Sequence, residues 1–513
     1  MRPQLLQVTW LGLHLCLAIL LAISTPPSNI RAQDDAAGDS TSSFNEENAS
    51  GDLTEASPPI SVEMPSNASK DPWSFANENG SVKFSFSGVA QPCVGIGSWW
   101  NLSEQYAPDA AYNPDLIWTE MWLKPGMSAT LNVDPSLSVY SGLSYVGSGN
   151  IGTDVFDQGN RGIFAIEDGY LGVKLSPSAE TSLDISFGRQ SYKVGSGMLL
   201  AVGAMNGFER GATTSFARRA WEEAGLVKLV SNNWSWDGFY LNPNELRSGD
   251  TKTRLAGTKL EYAIAPNQNV GVCYFNVFES EYPYAAAPLA LIPKGRENLN
   301  TLHSYAKLAP FSQFPGFYFA GDYAFQWNDR IDMASNAFSG EIGHVVTDSP
   351  FLPKLAYCFR SFQGDDPATA KFEKFDPLFY EGAPNLWASG SNGSFSFLNS
   401  NIQAHRIQAS VNWTPTEIYS FYYWHVRADQ INSPIQFGQA GRIVVVGGEP
   451  QLVSGVPNKH LSDDFYIERL KILNPNWYLT TGFAVSIPGK GLRELVDDPT
   501  TWFGALASLA FQY

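Results

Sequence analysis

From residue 81 to its end the chain alternates between apolar and polar positions, run after run. In "SVKFSFSGVAQ" (81–91), Val82, Phe84 and Phe86 alternate with Lys83, Ser85 and Ser87. In "GFYFAGDYAFQWN" (316–328), Phe317, Phe319, Tyr323, Phe325 and Trp327 share one parity, while Tyr318, Asp322, Gln326 and Asn328 share the other. In "HRIQASVNW" (405–413), Ile407, Val411 and Trp413 oppose Arg406, Gln408, Ser410 and Asn412. A period of two with one apolar face predicts a strand, and no long stretch shows the helical period of 3.6 instead. Such runs fall near 82–91, 115–124, 136–147, 165–176, 181–191, 221–230, 233–243, 252–264 and 268–280. They continue near 298–309, 316–328, 336–347, 353–363, 403–413, 417–428, 463–473, 476–486 and 502–512, which makes eighteen.

The connections sort by length. After odd-numbered strands they are mostly long: 92–114, 148–164, 192–220, 281–297, 364–402 and 429–462. After even-numbered strands they are mostly short: "PSAE" (177–180), "SN" (231–232), "APN" (265–267), "TPT" (414–416) and "NP" (474–475). The stretch 125–135 breaks the rule, reading as a long connection where a short one is due. A soluble sandwich has no reason to segregate loops in this way. A transmembrane barrel does, with an even strand number, short periplasmic turns and long outer loops. Closure also removes the sheet edges that hydrocarbon cannot solvate. The pattern predicts an all-β fold: a single antiparallel β-barrel of about eighteen strands in a Gram-negative-type outer membrane, with lipid as its surroundings.

The last stretch, "ALASLAFQY" (505–513), fits that reading. Tyr513, Phe511, Leu509, Ala507 and Ala505 share one face; Gln512, Ala510, Ser508 and Leu506 share the other. A closing strand can end at the periplasmic rim, where an aromatic joins the interfacial girdle. A final Phe-Gln-Tyr also resembles the carboxy-terminal strand signal read by the barrel-assembly machinery, which makes that machinery an expected partner.

Composition narrows the class further. Charged residues are 16% against about 25% in ordinary soluble domains, while aromatics reach 13%. The net charge of −17 argues against a nucleic-acid partner. Residues 1–32 read as an export signal, with Arg2, the apolar "LGLHLCLAILLAI" (11–23) and "IRA" before Gln33. Residues 33–80 hold ten acidic residues and one basic, with almost no periodicity, and are expected to be a disordered tether. The body, 81–513, keeps 30 basic against 40 acidic residues and forms the barrel.

Catalytic signatures are poor. "KVGSGM" (193–198) is only superficially a nucleophile motif and its glycines suit a turn; "VGIGSWW" (94–100) precedes no helical pattern and is no phosphate loop. Beyond the signal, Cys93, Cys273 and Cys358 are scattered, and His303, His344, His405, His425 and His460 have no metal-ligand spacing. The chain is therefore expected not to be an enzyme, with no cofactor and no metal. Alternation instead places Lys83, Lys174, Asp184, Lys307, Asp322, Glu341, Arg360 and Arg406 on the lumen face, where rings of charge select solutes.

Three segments carry a family resemblance. "FGRQSYKVGSGMLLAV" (187–202) resembles a Gly-Arg-Gln strand and Gly-rich loop of alginate-export outer-membrane porins. "KFDPLFYEG" (374–382) resembles that family's Phe-Asp-Pro-Leu-Phe segment, and "DDFYIERLKIL" with "GFAVSIPGKGL" its penultimate strand pair. The resemblance implies an eighteen-stranded barrel whose electropositive lumen passes an anionic uronate polysaccharide. It also places Arg189 in the Gly-Arg-Gln strand and Asp376 in an external loop that can fold into the mouth. Leu470 departs from the family pattern, as does the net acidic body. The expected activity is passive diffusion or export of carbohydrate. Arg360, Arg406 and Lys307 attract carboxylates, Arg189 and Arg427 are further candidates, and Asp322 and Tyr318 line the path. A general sugar or small-solute porin, an outer-membrane hydrolase and a surface-recognition barrel remain as alternatives.

Overall fold

A computed structural model describes residues 73–98, 113–154, 159–287, 290–382, 387–392, 397–434, 442–446, 449–453, 455–494 and 500–513. The signal segment 1–32 and residues 33–72 of the acidic tether lie outside the described residues. Eighteen long strands make the wall: β1 (Gly80–Ile96), β2 (Leu116–Asp134), β3 (Leu137–Gly152), β4 (Gly162–Ser178), β5 (Thr181–Gln190) and β6 (Trp221–Ser231). Next come β7 (Trp234–Asn242), β8 (Arg254–Ala265), β9 (Gln268–Glu279), β10 (Leu299–Leu308), β11 (Phe317–Asn328) and β12 (Met333–Val345). The wall ends with β13 (Lys354–Phe362), β14 (Ile402–Thr414), β15 (Glu417–Ala428), β16 (His460–Asn474), β17 (Trp477–Pro488) and β18 (Trp502–Gln512). Each pairs antiparallel with the next, and β18 pairs with β1 from Ser87↔Gln512 to Ile96↔Phe503, so the sheet closes.

Turn length follows the expected polarity. Strands β2–β3, β4–β5, β6–β7, β8–β9, β14–β15 and β16–β17 are joined by two residues each. Asp134 shapes the first of these turns by accepting the N–H groups of Ser136 (2.7 Å) and Leu137 (3.0 Å). Asn232 and Asn267 supply the left-handed conformation in two others. The long connection expected at 125–135 does not exist. Strand β2 runs through Pro125 and Gly126, which pair with Phe86 and Ser85 of β1. Toward β3 the ladder skips from Leu123↔Gly147 to Gly126↔Ser144, the gap falling where proline has no N–H to give.

The two faces are inverted relative to a soluble sheet. On β11, Phe319 and Tyr323 point outward, each 45% exposed, while Asp322, Gln326 and Asn328 are buried inside. On β14, Ile407 and Trp413 face out, and Arg406, Gln408, Ser410 and Asn412 are buried. A closed wall with an apolar outside and a polar inside is built for hydrocarbon, and with its asymmetric loops it is an outer-membrane barrel. The main apolar core lies within the lumen, where Val194, Met198, Leu199, Leu200, Phe375 and Trp387 pack against Trp221, Phe275 and Phe362.

Strand β1 overhangs β18 by its first residues. A short lead-in strand, Ser74–Asn77, folds back along that overhang, Ser74 pairing with Lys83 and Asn77 with Gly80. The last residues of the segment expected to be a tether, Ser74–Asn77 and Gly80, therefore belong to the sheet. An unpaired edge in hydrocarbon is costly, which explains why the chain covers it. At the seam Tyr513 and Phe86 exchange two backbone hydrogen bonds of 2.9 Å, and Trp477 Nε1 donates to the Tyr513 hydroxyl (2.9 Å). Deleting Tyr513 removes all three. Counting about 1 kcal/mol for each, the barrel should unfold at measurably lower urea in detergent, read by heat-modifiable gel mobility. An unchanged midpoint would show that the seam is held elsewhere.

Candidate functional site in the barrel lumen

Two walls of the lumen carry different charge patterns. Across β4 to β8, Lys174, Asp184, Lys228, Asp237 and Lys259 are successive register partners, so signs alternate along one row. Asp184 also accepts from the Tyr140 hydroxyl, Asp237 accepts from the Tyr192 hydroxyl (3.0 Å), and Lys259 Nζ lies 2.9 Å from Asp237. Opposite charges directly across a strand pair stabilise it and cancel one another's field. This wall is close to balanced.

The neighbouring arc, β10 to β14, is not balanced. Glu341 of β12 accepts from the Tyr318 hydroxyl (2.6 Å) and pairs with Arg406, with Lys354 Nζ 4.0 Å away. Arg406 lies with its guanidinium carbon 5.3 Å from the Trp424 ring centre, and Arg360 sits 5.4 Å from the same ring. Lys307 is inward on β10, in register with Ala320, itself the partner of Glu341. Four cations thus share this arc with two carboxylates, Glu341 and Asp322 of β11. Strand pleat explains the grouping: Lys354 and Arg360 share parity on β13, and Arg406 follows from the Cys358↔Arg406 register.

Two loops fold inward and meet. The loop 191–220 is held to the β2 and β4 walls by buried carboxylates. Glu120 accepts the N–H groups of Thr214 and Ser215 (2.9 Å each), and Glu167 those of Arg219 (2.6 Å) and Ala220 (2.8 Å). At the loop's tip Gly195 has φ +53° and rests on the Tyr305 ring, where a Cβ would come within 2.7 Å. The loop 363–401 reaches across from β13; Ser391 N–H donates to Asp464 of β16 (2.7 Å) and Asn392 to the Trp502 carbonyl of β18 (3.0 Å). Where the two loops touch, Ala201 N–H donates to Phe379 O and Phe379 N–H to Leu199 O, both 2.9 Å. Glu381 locks the joint, paired with Lys193 (3.0 Å) and Arg219 (2.5 Å). Burial alone would raise the Glu381 carboxyl, but Arg219 and Lys193 outweigh it and hold it below its ordinary value.

Asp376 pins the second loop from the outer side. Its carboxylate takes Arg296 Nε (2.7 Å) and Nη2 (2.9 Å) together with the Tyr284 hydroxyl (2.7 Å), and Arg296 stacks 4.0 Å from the Tyr282 ring centre. Gln326 of β11 bonds the Asp376 backbone in both directions, at 2.8 and 2.9 Å.

The candidate residues divide accordingly. Lys307, Tyr318, Asp322, Arg360 and Arg406 face the lumen. Arg360 lies beneath the second loop, donating to Ala388 O (3.1 Å) with Trp387 over its guanidinium (4.7 Å). Asp322 accepts from Ser196 Oγ (2.6 Å) and lies 2.9 Å from His303 Nε2, so it anchors the first loop. Arg189 lies on the outer face, paired with Glu222. A bulge between Gly188 and Gln190 sets Glu222 and Glu223 opposite this one residue, without turning Arg189 inward. Arg427 also points outward, because Tyr422, Trp424, Val426 and Ala428 hold the buried parity of β15. Neither arginine is a channel residue. Lys83 is exposed near the periplasmic end. Sequence reasoning missed Lys354 and Trp424, although their parity with Arg360 and Val426 was legible; Glu381 and Arg296 gave no local signal.

The hydrolase alternative meets a geometric obstacle. Ser196, Asp322 and His303 adjoin, but the serine donates to the aspartate, with the histidine on the same oxygen. A nucleophile needs a base as its immediate partner, and here the base is on the far side of the acid.

No model of a known protein family matches the chain, and no curated protein does. Among solved structures it is similar to a Salmonella typhi OmpF complex with daunomycin, at TM-score 0.41 and 12% identity, covering 86% of this chain and 100% of that one. It is also similar to Pseudomonas aeruginosa OccK5 (OpdH), at TM-score 0.46 and 6% identity over 84% and 97% of the chains. The outer membrane protein opdK of Pseudomonas aeruginosa gives TM-score 0.47 and 10% identity over 84% and 98%.

Proposed function

We propose that this protein is an outer-membrane diffusion channel for anionic carbohydrate, a uronate oligosaccharide or polysaccharide being the reference solute. The reading rests on one observation above others: on one arc of the lumen four cations, Lys307, Lys354, Arg360 and Arg406, outnumber two carboxylates, Glu341 and Asp322, and gather toward Glu341. Arginine forks match carboxylates in shape as well as sign. Trp387 and Trp424 flank Arg360, their ring faces toward its guanidinium. Passage requires the second loop to yield, since its Trp387–Ala388 turn sits on Arg360. Gradient-driven passage needs no cofactor.

Planar-bilayer recording tests this. Anion-selective single-channel conductance, blocked reversibly by added uronate oligomers, is the expected result. Conductance without that block would leave a general small-solute porin. Silence from correctly folded barrels would favour the surface-recognition alternative.

A further inference from the structure

Histidines with no motif in the sequence come together on the outside of the barrel. His425 of β15 and Asp463 of β16 are register partners, and His460 opens β16. His425 Nδ1 lies 2.8 Å from Asp463 Oδ1, and His460 Nε2 lies 3.0 Å from Asp463 Oδ2. The two imidazole rings are 4.8 Å apart. Positions 460 and 463 should fall on opposite faces of a regular strand, being an odd number apart. A register shift between Val426 and Arg427, which pair with Ser462 and His460, inserts one residue and returns His460 to the face of Asp463. The cluster stands at the end of the barrel that carries the long loops, the outer rim. Its three side chains are 31%, 30% and 27% exposed, open to water yet not freely mobile.

We propose that His425, His460 and Asp463 form a binding site for a divalent transition-metal ion, with zinc as the reference. All three ligand atoms lie within 4.8 Å of one another. Two imidazole nitrogens and one carboxylate oxygen are borderline donors that suit zinc, and water completes a tetrahedron. Tetrahedral bonds of about 2.0–2.1 Å place ligand atoms roughly 3.3 Å apart. The carboxylate contacts need to open by a few tenths of an ångström while the imidazoles close. The Tyr423 hydroxyl donates to Asp463 Oδ1 (2.8 Å), an outer-shell hydrogen bond of the kind that orients ligating carboxylates. His405 is not in the set: its Nδ1 is engaged by the Tyr357 hydroxyl at 2.7 Å. The bland alternative is a carboxylate holding two imidazoles by hydrogen bonds alone. An ion here would staple β15 to β16 on the outer wall, away from the lumen.

The test uses the untagged full chain in detergent, stripped with EDTA and titrated with zinc chloride against a chromogenic chelator. One equivalent per barrel is expected, weakened at least tenfold in H425Q, H460Q and D463N and unchanged in H405Q. Heat-modifiable mobility establishes that each variant is folded. Should the variants fail to fold, the wild-type chain suffices: zinc should protect His425 and His460 from diethyl pyrocarbonate, read by peptide mass, while leaving His405 reactive. Absence of stoichiometric binding, equal binding by the folded variants, or absence of protection each overturns the site.

Discussion

Asp376→Asn is expected to free the second inserted loop, turning a steady low conductance into a larger and flickering one. The argument is one of charge left behind. Asp376 and Arg296 are both buried, and their bidentate contact is the guanidinium's charge partner. Removing one member of a buried pair typically costs about 3–5 kcal/mol, because the other remains charged and dry. That is more than a loop held by a few backbone bonds can absorb, but the barrel wall has its own ladder and should stay folded. Burial would raise the Asp376 carboxyl, yet Arg296 and the Tyr284 hydroxyl hold it below its ordinary value. A lowered carboxyl means the pin is at full strength above the unfolded value of about 3.9. It is lost only as pH falls through the lowered one. Between pH 5 and 8 the wild-type channel should show no loosening from this source. Replacing both partners, Arg296→Met with Asp376→Leu, should loosen the loop less than either single change. Limited proteolysis across 363–401 reads the same release independently. Equal protease resistance and equal conductance in Asp376→Asn would mean that the Glu381 joint, not this pin, holds the loop.

The wall of this protein was largely legible from alternation, and the reason is physical. Lipid outside and polar atoms inside impose one rule on every strand, so β11 and β14 declare both their extent and their faces locally. Where the rule met punctuation it misled: Pro125-Gly126 reads as a break, but β2 passes through it because β1 and β3 hold it on both sides. The seam strand Ser74–Asn77 was hidden in a compositionally disordered segment, since its role depends on how far β1 overhangs β18. The lumen was less legible still. Parity put Arg360 and Arg406 inside, but nothing local reveals that Trp387, 27 residues beyond Arg360, comes to lie over it. Arg189 and Arg427 were drawn in by their charge, against the parity of Phe187 and of Trp424. The outer histidine cluster needs a bulge that no spacing rule contains.

Opposite shifts in ion selectivity are expected from Glu341→Gln and Arg406→Gln, and the pair of results bears on mechanism more than either alone. Lys307, Lys354, Arg360 and Arg406 against Glu341 and Asp322 leave this arc at two net positive charges. Glutamine for Glu341 keeps an oxygen for the Tyr318 hydroxyl and raises the arc to three; glutamine for Arg406 lowers it to one. Two unit charges 4 Å apart interact by about 4 kcal/mol at an effective dielectric of 20. Even a small fraction of that reaching a permeating ion amounts to about one kT, or roughly a threefold change in partition. The anion-to-cation permeability ratio should therefore rise about threefold in Glu341→Gln and fall by a similar factor in Arg406→Gln. Both shifts should shrink between 0.1 M and 1 M salt, as the screening length drops from about 10 Å to 3 Å. A structural disturbance would instead move both variants the same way and ignore salt. The row Lys174–Asp184–Lys228–Asp237–Lys259 supplies the control, because its charges alternate. If Asp237→Asn produced as large a shift as Glu341→Gln, the selective element would be that row, and the basic arc would be reduced to holding the second loop in place.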